Sequence, residues 1–362
     1  MNPFEKEIRP GSAPKDGMNI AIISDFNIAG QPTHLMRAIN KYSPHRARCI
    51  IGHGDYMEYD RDVLLTRERG ALLDQEAVEE AMAIVRAADF FHFGRAILEW
   101  PGVEWNGVLT QRNCVIKYYG SELRMNGPVI RKWHEQTGVK AITSTDWTMC
   151  SQLSGFFHLG SYFTRFGDMA PDEIPWAKQN VEEVVVTCGS GTSGIKRYDV
   201  LMNALKVIQA EGIMVKPLVI QGKPNAEAVA EKSKGQICFT SLHQGWGISG
   251  IESMWMGQPV LCALDPFILS LYPSQPAVIV DEQTLKARLR TLVLSPGLRD
   301  HIAMAGRDFV ETHFRTTDIL RRYLYIIDLI MKADLYAGGN CAVPRLYQFP
   351  EVWDGRQDLP NR

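Results

Sequence analysis

The 362-residue sequence predicts an α/β protein made of two successive Rossmann-like, doubly wound domains facing a cleft. Residues 18–24 (MNIAIIS) form an apolar run of strand length, followed by the loop 25–30 and a helix opened by Pro32. Strand, glycine loop and helix in that order begin a doubly wound unit. The alternation is interrupted by a polar stretch at 165–182 carrying Pro171 and Pro175, and it restarts at Val184. The chain is also longer than a single hydrophobic core usually supports, so two domains are the default.

Taken in order, residues 1–17 read as a loose arm and the first domain as 18–170. After the first helix, with Leu35, Met36 and Ile39 on one face, residues 49–51 form a strand and 75–87 an Ala-rich helix. The aromatic run 90–93 and the run 115–118 are the next strands; a helix over 128–136 and a short strand at 141–143 follow. The second domain, 171–334, opens with a strand at 184–187 and the glycine-rich 188–194. A helix over 198–210, a strand at 218–220, a short helix near 225–233 and strands at 237–240, 260–262 and 277–280 come next. Helices at 283–294, 299–312 and 317–334 close the domain, and the proline-bearing tail 335–362 is expected to pack back toward the first domain.

Bulk properties narrow the function. A net charge of −2 provides no global field for nucleic acid or acidic lipid. Seven scattered cysteines without a C-x-x-C pair suggest a reducing, cytoplasmic setting and no zinc site. No uncharged apolar run is long enough to span a bilayer, so stable membrane insertion is not expected; peripheral contact through a basic face near 128–137 stays open. Asp60-Arg61-Asp62 has the spacing of a metal-holding acid pair, but it lies in a charged stretch and not after an apolar strand. No metal and no resident cofactor are expected.

The chemistry concentrates at 243–261. Here a strand exits through Gln244-Gly245-Trp246-Gly247-Ile248-Ser249-Gly250 into a helix bearing Glu252, which stops at Gly257 before Pro259. Glycines between strand and helix let backbone N–H groups approach an anion, and a carboxylate there can accept hydrogen bonds from sugar hydroxyls. Lys196 follows a second glycine-rich strand exit that includes Gly189, again a place suited to an anion.

This block resembles the E-x7-E signature of glycosyltransferase family 4, retaining enzymes of the GT-B fold. Three other segments match that family in order: residues 88–93 (ADFFHF) with His92, residues 119–124 (YGSELR), and residues 195–199 (IKRYD). The resemblance implies a nucleoside-diphosphate sugar, with a UDP-sugar the expected donor, bound mainly by the second domain. It implies that Lys196 neutralises the diphosphate, that Glu252 takes the ribose hydroxyls, and that amides from Gly247 to Gly250 lie near the distal phosphate and sugar. The implied donor set is Gly30, Gly189, Lys196, Arg197, Gly245, Gly247, Ile248, Ser249, Gly250 and Glu252. His92, Lys196 and Gln244 are the implied catalytic residues, and Tyr119, Ser121, Glu122 and Arg124 line the acceptor side.

The sequence departs from the family pattern in four places. Gln244 replaces the first glutamate, Arg197 the glycine after the lysine, and Gly94 a second histidine, while Ser190 and Gly191 stand where an arginine is common. Arg197 is therefore the candidate second cation. The reading is transfer of a hexose to an acceptor hydroxyl, with retention and without metal. Its rivals are a transferase acting on a hydroxylated DNA base and a non-catalytic nucleotide-sugar-binding protein on the same fold. The acceptor is left open among glycan, lipid-linked, small-molecule and modified-DNA classes.

Overall fold

Strand β1 (Asn19–Ser24) is buried at every position except the first, as expected for a parallel strand covered on both faces. This is a computed structural model, and it describes residues 17–54, 59–66, 72–94, 109, 113–119, 128–134, 136, 138–143, 156–159, 162–189, 196–243 and 245–332. Strands β2 (Arg46–His53) and β3 (Val63–Thr66) flank β1 on one side. On its other side lie β4 (Phe90–Gly94), β5 (Cys114–Tyr118), β6 (Lys140–Thr143) and β7 (Phe156–His158). The result is a seven-stranded sheet in the order β3-β2-β1-β4-β5-β6-β7, parallel throughout.

Period-two alternation sends successive residues of these strands to opposite faces. Ile20, Ile22 and Phe90 meet Leu35 and Ile39 of α1 (Gln31–Tyr42) on one face. Ala21, Ile23, Phe91 and Phe93 meet Ala81, Ile84 and Val85 of α2 (Gln75–Ala87) on the other. Asp74 starts α2 by accepting hydrogen bonds from the amides of Glu76 and Ala77, which satisfies two of the helix's orphan donors.

The second sheet contains β8 (Val184–Gly189), β9 (Val215–Ile220), β10 (Ile237–Ser241), β11 (Val260–Cys262) and β12 (Val278–Ile279). Its order is β12-β11-β10-β8-β9, again parallel. Around it lie α3 (Tyr198–Ala210), α4 (Asn225–Lys232), α5 (Gly247–Trp255), α6 (Pro266–Leu271), α7 (Leu285–Leu294) and α8 (Pro296–His313). The two parallel α/β domains match the predicted class. β3, β7 and α6 were not anticipated, because short edge pieces carry too few residues to show a period.

One boundary needs correction. The last described helix, α9 (Thr316–Met331), does not complete the second domain as the 171–334 assignment had it. Its buried face, Ile319, Leu320, Tyr323, Ile326, Ile327 and Ile330, packs into the core of the first sheet with Ile20, Ile22 and Phe90. The two crossings between domains are tied together where they pass. Arg307 donates to the carbonyl oxygens of Trp255 and Pro171, and Arg315 Nη1 donates to that of Met169 at 3.0 Å. Residues 1–16 of the arm and the tail 335–362 lie outside the described residues.

Candidate active site

In an open parallel sheet, a ligand crevice forms beyond the carboxyl ends of the strands where the strand order reverses. In the second sheet that point lies between β8 and β10, which are neighbours in space but separated in sequence by β9. A cavity of about 410 Å³ opens there, within the ~300–1,000 Å³ usual for small-ligand sites. Its floor is Thr187, Cys188 and Gly189 from the end of β8 and Cys238 to Ser241 from β10. The first domain closes it with Ile28, Ala29, Tyr59, Tyr119 and Tyr162.

The loop after β10 takes its shape from two glycines in the left-handed region, Gly245 at φ +70° and Gly247 at +55°. Thr240 Oγ1 ties the loop back by donating to the Gly245 carbonyl at 2.9 Å. Helix α5 then begins with the first-turn amides of Gly247, Ile248 and Ser249 beside the cavity, before the helical ladder starts at the amide of Gly250. Such amides with the helix dipole behind them attract negative charge.

Glu252 lies one turn further along. Only 7% of it is exposed, and its Oε2 is 2.5 Å from Nζ of Lys232, itself 8% exposed. Its other oxygen has no hydrogen-bond partner among the described residues, and the residue lines the cavity. A buried carboxylate held by one oxygen leaves the second positioned to accept hydroxyl protons. Across the floor, Lys196 lines the cavity without an ion-pair partner among the described residues. Its amine lies 3.9 Å from where a Cβ on Gly189 would begin. Burial, with Lys232 nearby, holds its pKa below the usual lysine range. An anion beside it would restore the charged form.

The structure brings together Gly189, Lys196, Gly245, Gly247, Ile248, Ser249, Glu252 and Tyr119 around one space, and it separates four others from it. His92 shares the sheet face of Phe90, so it points to the crossing helix α9 and not into the cavity. Its Nδ1 is 3.0 Å from the Tyr323 hydroxyl, and burial, with Lys117 nearby, pulls its pKa down to about 3. Arg197, expected as a second cation, is instead engaged at the surface by Asp199 and Glu282. Gly250 is packed under Trp246, and its amide is already bonded to the Trp246 carbonyl at 2.8 Å.

Gly30 does not line the cavity either. At φ +70° it supports the ring of Tyr59, 2.5 Å from where a side chain would begin. Gln244, Ser121, Glu122 and Arg124 lie outside the described residues. Both carboxylates of the Asp60–Asp62 pattern face cations: Asp60 pairs with Arg37, and Asp62 pairs with Arg48 at 3.1 Å and accepts from the Cys49 amide.

Three residues went unrecognised in the sequence. Lys232 sits on a short helix with no motif around it, and Tyr59 and Asn225 are 166 positions apart. Asn225 Nδ2 donates to the Tyr59 hydroxyl at 2.7 Å, joining the domains across the cleft. Only the spacing of Val229 and Lys232 on one helical face hinted that this lysine points inward.

No protein-family model and no curated protein matches the sequence. Solved structures do match. A glycosyltransferase from Rickettsia africae is 13% identical with a TM-score of 0.59, over 88% of this chain and 100% of that one. An α-glucosyltransferase in complex with UDP and a 13-mer DNA containing a HMU base is 10% identical with a TM-score of 0.58, over 86% and 100%. Anabaena Alr3699/HepE in complex with UDP and glucose is 13% identical with a TM-score of 0.56, over 86% and 100%. The chain has the fold of these GT-B glycosyltransferase structures: two parallel-sheet α/β domains with a cleft between them.

Proposed function

We propose that the protein is a nucleotide-sugar-dependent glycosyltransferase of the family 4 type, using a UDP-sugar and transferring a hexose with retention to an acceptor hydroxyl. The observation that carries the reading is the pairing of two features at the switch point of the second sheet. Lys196 and the first-turn amides of α5, none of them with an ion-pair or hydrogen-bond partner among the described residues, suit a diphosphate. Beside them Glu252, anchored by Lys232, offers one oxygen to the ribose hydroxyls. The sugar would then extend toward Ile28, Ala29 and Tyr119, where the first domain presents the acceptor. The shared fold with structures that hold UDP supports the choice of nucleotide.

In the proposed reaction the bond between the anomeric carbon and the diphosphate oxygen breaks while the acceptor oxygen bonds to that carbon from the same face. The acceptor proton passes to the departing phosphate oxygen. Negative charge grows on the diphosphate as the bond lengthens, and Lys196 and the α5 amides stabilise it more in the transition state than in the donor. Neither His92 nor Arg197 takes part in this scheme.

The test is a panel of UDP, GDP, ADP and dTDP sugars followed by release of the nucleoside diphosphate. Preferential UDP release, increased by an acceptor, supports the reading. Duplex DNA carrying a hydroxymethylated base is one acceptor arm, and a salt-sensitive rise in UDP release on it would assign that acceptor class. Saturable UDP-sugar binding with no turnover on glycan, small-molecule or DNA acceptors would favour the non-catalytic reading.

A further inference from the structure

The chain crosses between its domains twice, and its contacts fix where each crossing changes allegiance. Up to Asp168 the first crossing is held by the first domain. Phe163 exchanges hydrogen bonds with the Gln31 side chain through both its backbone groups, and the Asp168 carboxylate accepts from Tyr42 and, at 2.9 Å, from Lys41 of α1. From Met169 onward the second domain holds it. The carbonyl oxygens of Met169 and Pro171 accept from Arg315 and Arg307, each at 3.0 Å. The Ala177 amide donates to the Met256 carbonyl at 2.8 Å, and Gln179 Nε2 donates to that of Gly257 at 2.7 Å. The return crossing changes over at Arg315–Thr316, where α9 begins. The two changeover points touch, since a Cβ on Gly167 would lie 2.7 Å from the Phe314 carbonyl oxygen and 2.9 Å from Thr316 Oγ1. Together they form a single pivot. A second cavity, of about 450 Å³, lies between that pivot and the Tyr59–Asn225 bridge and leaves the domains room to rotate.

The fastenings on the second domain converge on one end of α5. Ala177 and Gln179 bond to the two residues that follow the helix, and Arg307 of α8 takes its last residue. Arg307 Nη1 donates to the Trp255 carbonyl and Nη2 to that of Pro171, while Nε meets Glu311 at 2.6 Å. Its guanidinium also lies 5.1 Å from the centre of the Trp255 ring. Arg307 is 8% exposed and Trp255 is fully buried. A cation at a helix C-terminus complements the dipole, and a planar, rigid guanidinium holds its two carbonyls in one fixed geometry. The opposite end of this nine-residue helix, ~13 Å away, carries the first-turn amides beside the donor cavity.

We propose that Arg307 is a positioning residue that couples the donor cavity to the pivot. An anion drawn onto the first amides of α5 shifts a stiff helix whose far end Arg307 ties to the first crossing at Pro171, just beyond the pivot. Donor binding therefore favours the closed arrangement of the domains, and closure in turn tightens donor binding. Arg307 itself does not line the cavity. The inference rests on the reading that a nucleoside diphosphate binds at α5.

The test is calorimetric titration of the full chain with UDP, paired with small-angle scattering with and without saturating UDP, for wild type, Arg307→Met and Arg307→Lys. Wild type is expected to bind UDP saturably and to show a smaller radius of gyration once UDP is bound. Arg307→Met removes both carbonyl bonds and keeps an unbranched chain over Trp255. It should bind UDP about five- to tenfold more weakly, the lower end of the usual coupling between sites, and show no compaction. Arg307→Lys keeps a charge beside Glu311, but one ammonium on a flexible stem does not fix two carbonyls, so the same loss is expected. This variant decides the matter if Arg307→Met does not fold. A merely structural role would lower the unfolding midpoint and leave UDP-induced compaction of the folded protein intact. Compaction as in wild type would thus overturn the proposal and leave the donor reading standing. UDP binding by wild type without compaction would overturn it equally. No saturable UDP binding by wild type would overturn the donor reading, and the coupling with it.

Discussion

Replacing Glu252 by Gln removes one charge from a pair that is almost wholly buried, and the consequences for stability and for ligand binding can be separated. Lys232 and Glu252 are 8% and 7% exposed with nitrogen and oxygen 2.5 Å apart. Breaking such a pair from one side leaves the ammonium buried without a counter-charge, which costs ~3 kcal/mol or more. In denaturant unfolding, Glu252→Gln should therefore show a lower midpoint with an unchanged slope. If the free carboxylate oxygen receives ribose hydroxyls, the same change should weaken UDP by about 10- to 100-fold, the ~1.5–3 kcal/mol of a hydrogen bond to a charged group.

The double variant Glu252→Gln/Lys232→Met separates the two effects. With no charge left unpaired, stability should recover most of the loss, because replacing both members of a buried pair is often close to neutral. UDP affinity should stay low, because the acceptor oxygen remains uncharged. Unfolding curves and calorimetry with UDP read the two quantities independently. Should the double variant regain both stability and UDP affinity, Glu252 serves only to pair with Lys232, and its ribose role is wrong.

Three further outcomes follow from the geometry. Lys117, 2% exposed near the rings of Tyr119 and Phe163, has its pKa lowered by burial from 10.5 to about 7. Between those values the unfolded chain binds the proton and the folded one does not, so the destabilisation is full below about pH 7 and is relieved as the pH rises toward 10.5. Lys117→Met should raise stability by up to ~4 kcal/mol at pH 7, with a gain that shrinks by pH 10; a gain independent of pH would contradict a buried, neutralised amine. Gly30→Ala places a Cβ 2.5 Å from the Tyr59 ring at a φ of +70°, so thermal unfolding should show a loss of ~1–3 kcal/mol. Tyr59→Phe removes the hydroxyl that Asn225 bonds at 2.7 Å across the cleft, worth ~1 kcal/mol. Small-angle scattering should record a larger radius of gyration for that variant without ligand, and an unchanged radius would show that this bond does not hold the domains together.

The fold was legible in the sequence because parallel strands covered on both faces must be apolar throughout. Residues 18–24, 90–93 and 237–240 announce themselves that way, and the glycines after two of them mark where a backbone opens. The same local logic singled out Lys196, Gly247 and Glu252, since a strand exit followed by a helix start is a property of adjacent residues. His92, Arg197, Gly30 and Gly250 lie off the cavity for one common reason. A motif gives position along the chain, whereas strand alternation and local packing decide what a side chain faces. His92 turns to α9, a helix more than 200 positions away, and Arg197 finds Glu282.

By itself the sequence determined the doubly wound class, the restart at Val184 and the anion-suited ends of β8 and β10. Each of these follows from hydrophobic period and backbone freedom over a few neighbouring residues. Only the tertiary structure decided that Lys232 anchors Glu252, that Tyr59 reaches Asn225, that α9 belongs to the first domain, and that a second cavity lies behind the cleft. Those are contacts between residues far apart in the chain, set by how whole layers pack, and no local pattern encodes them.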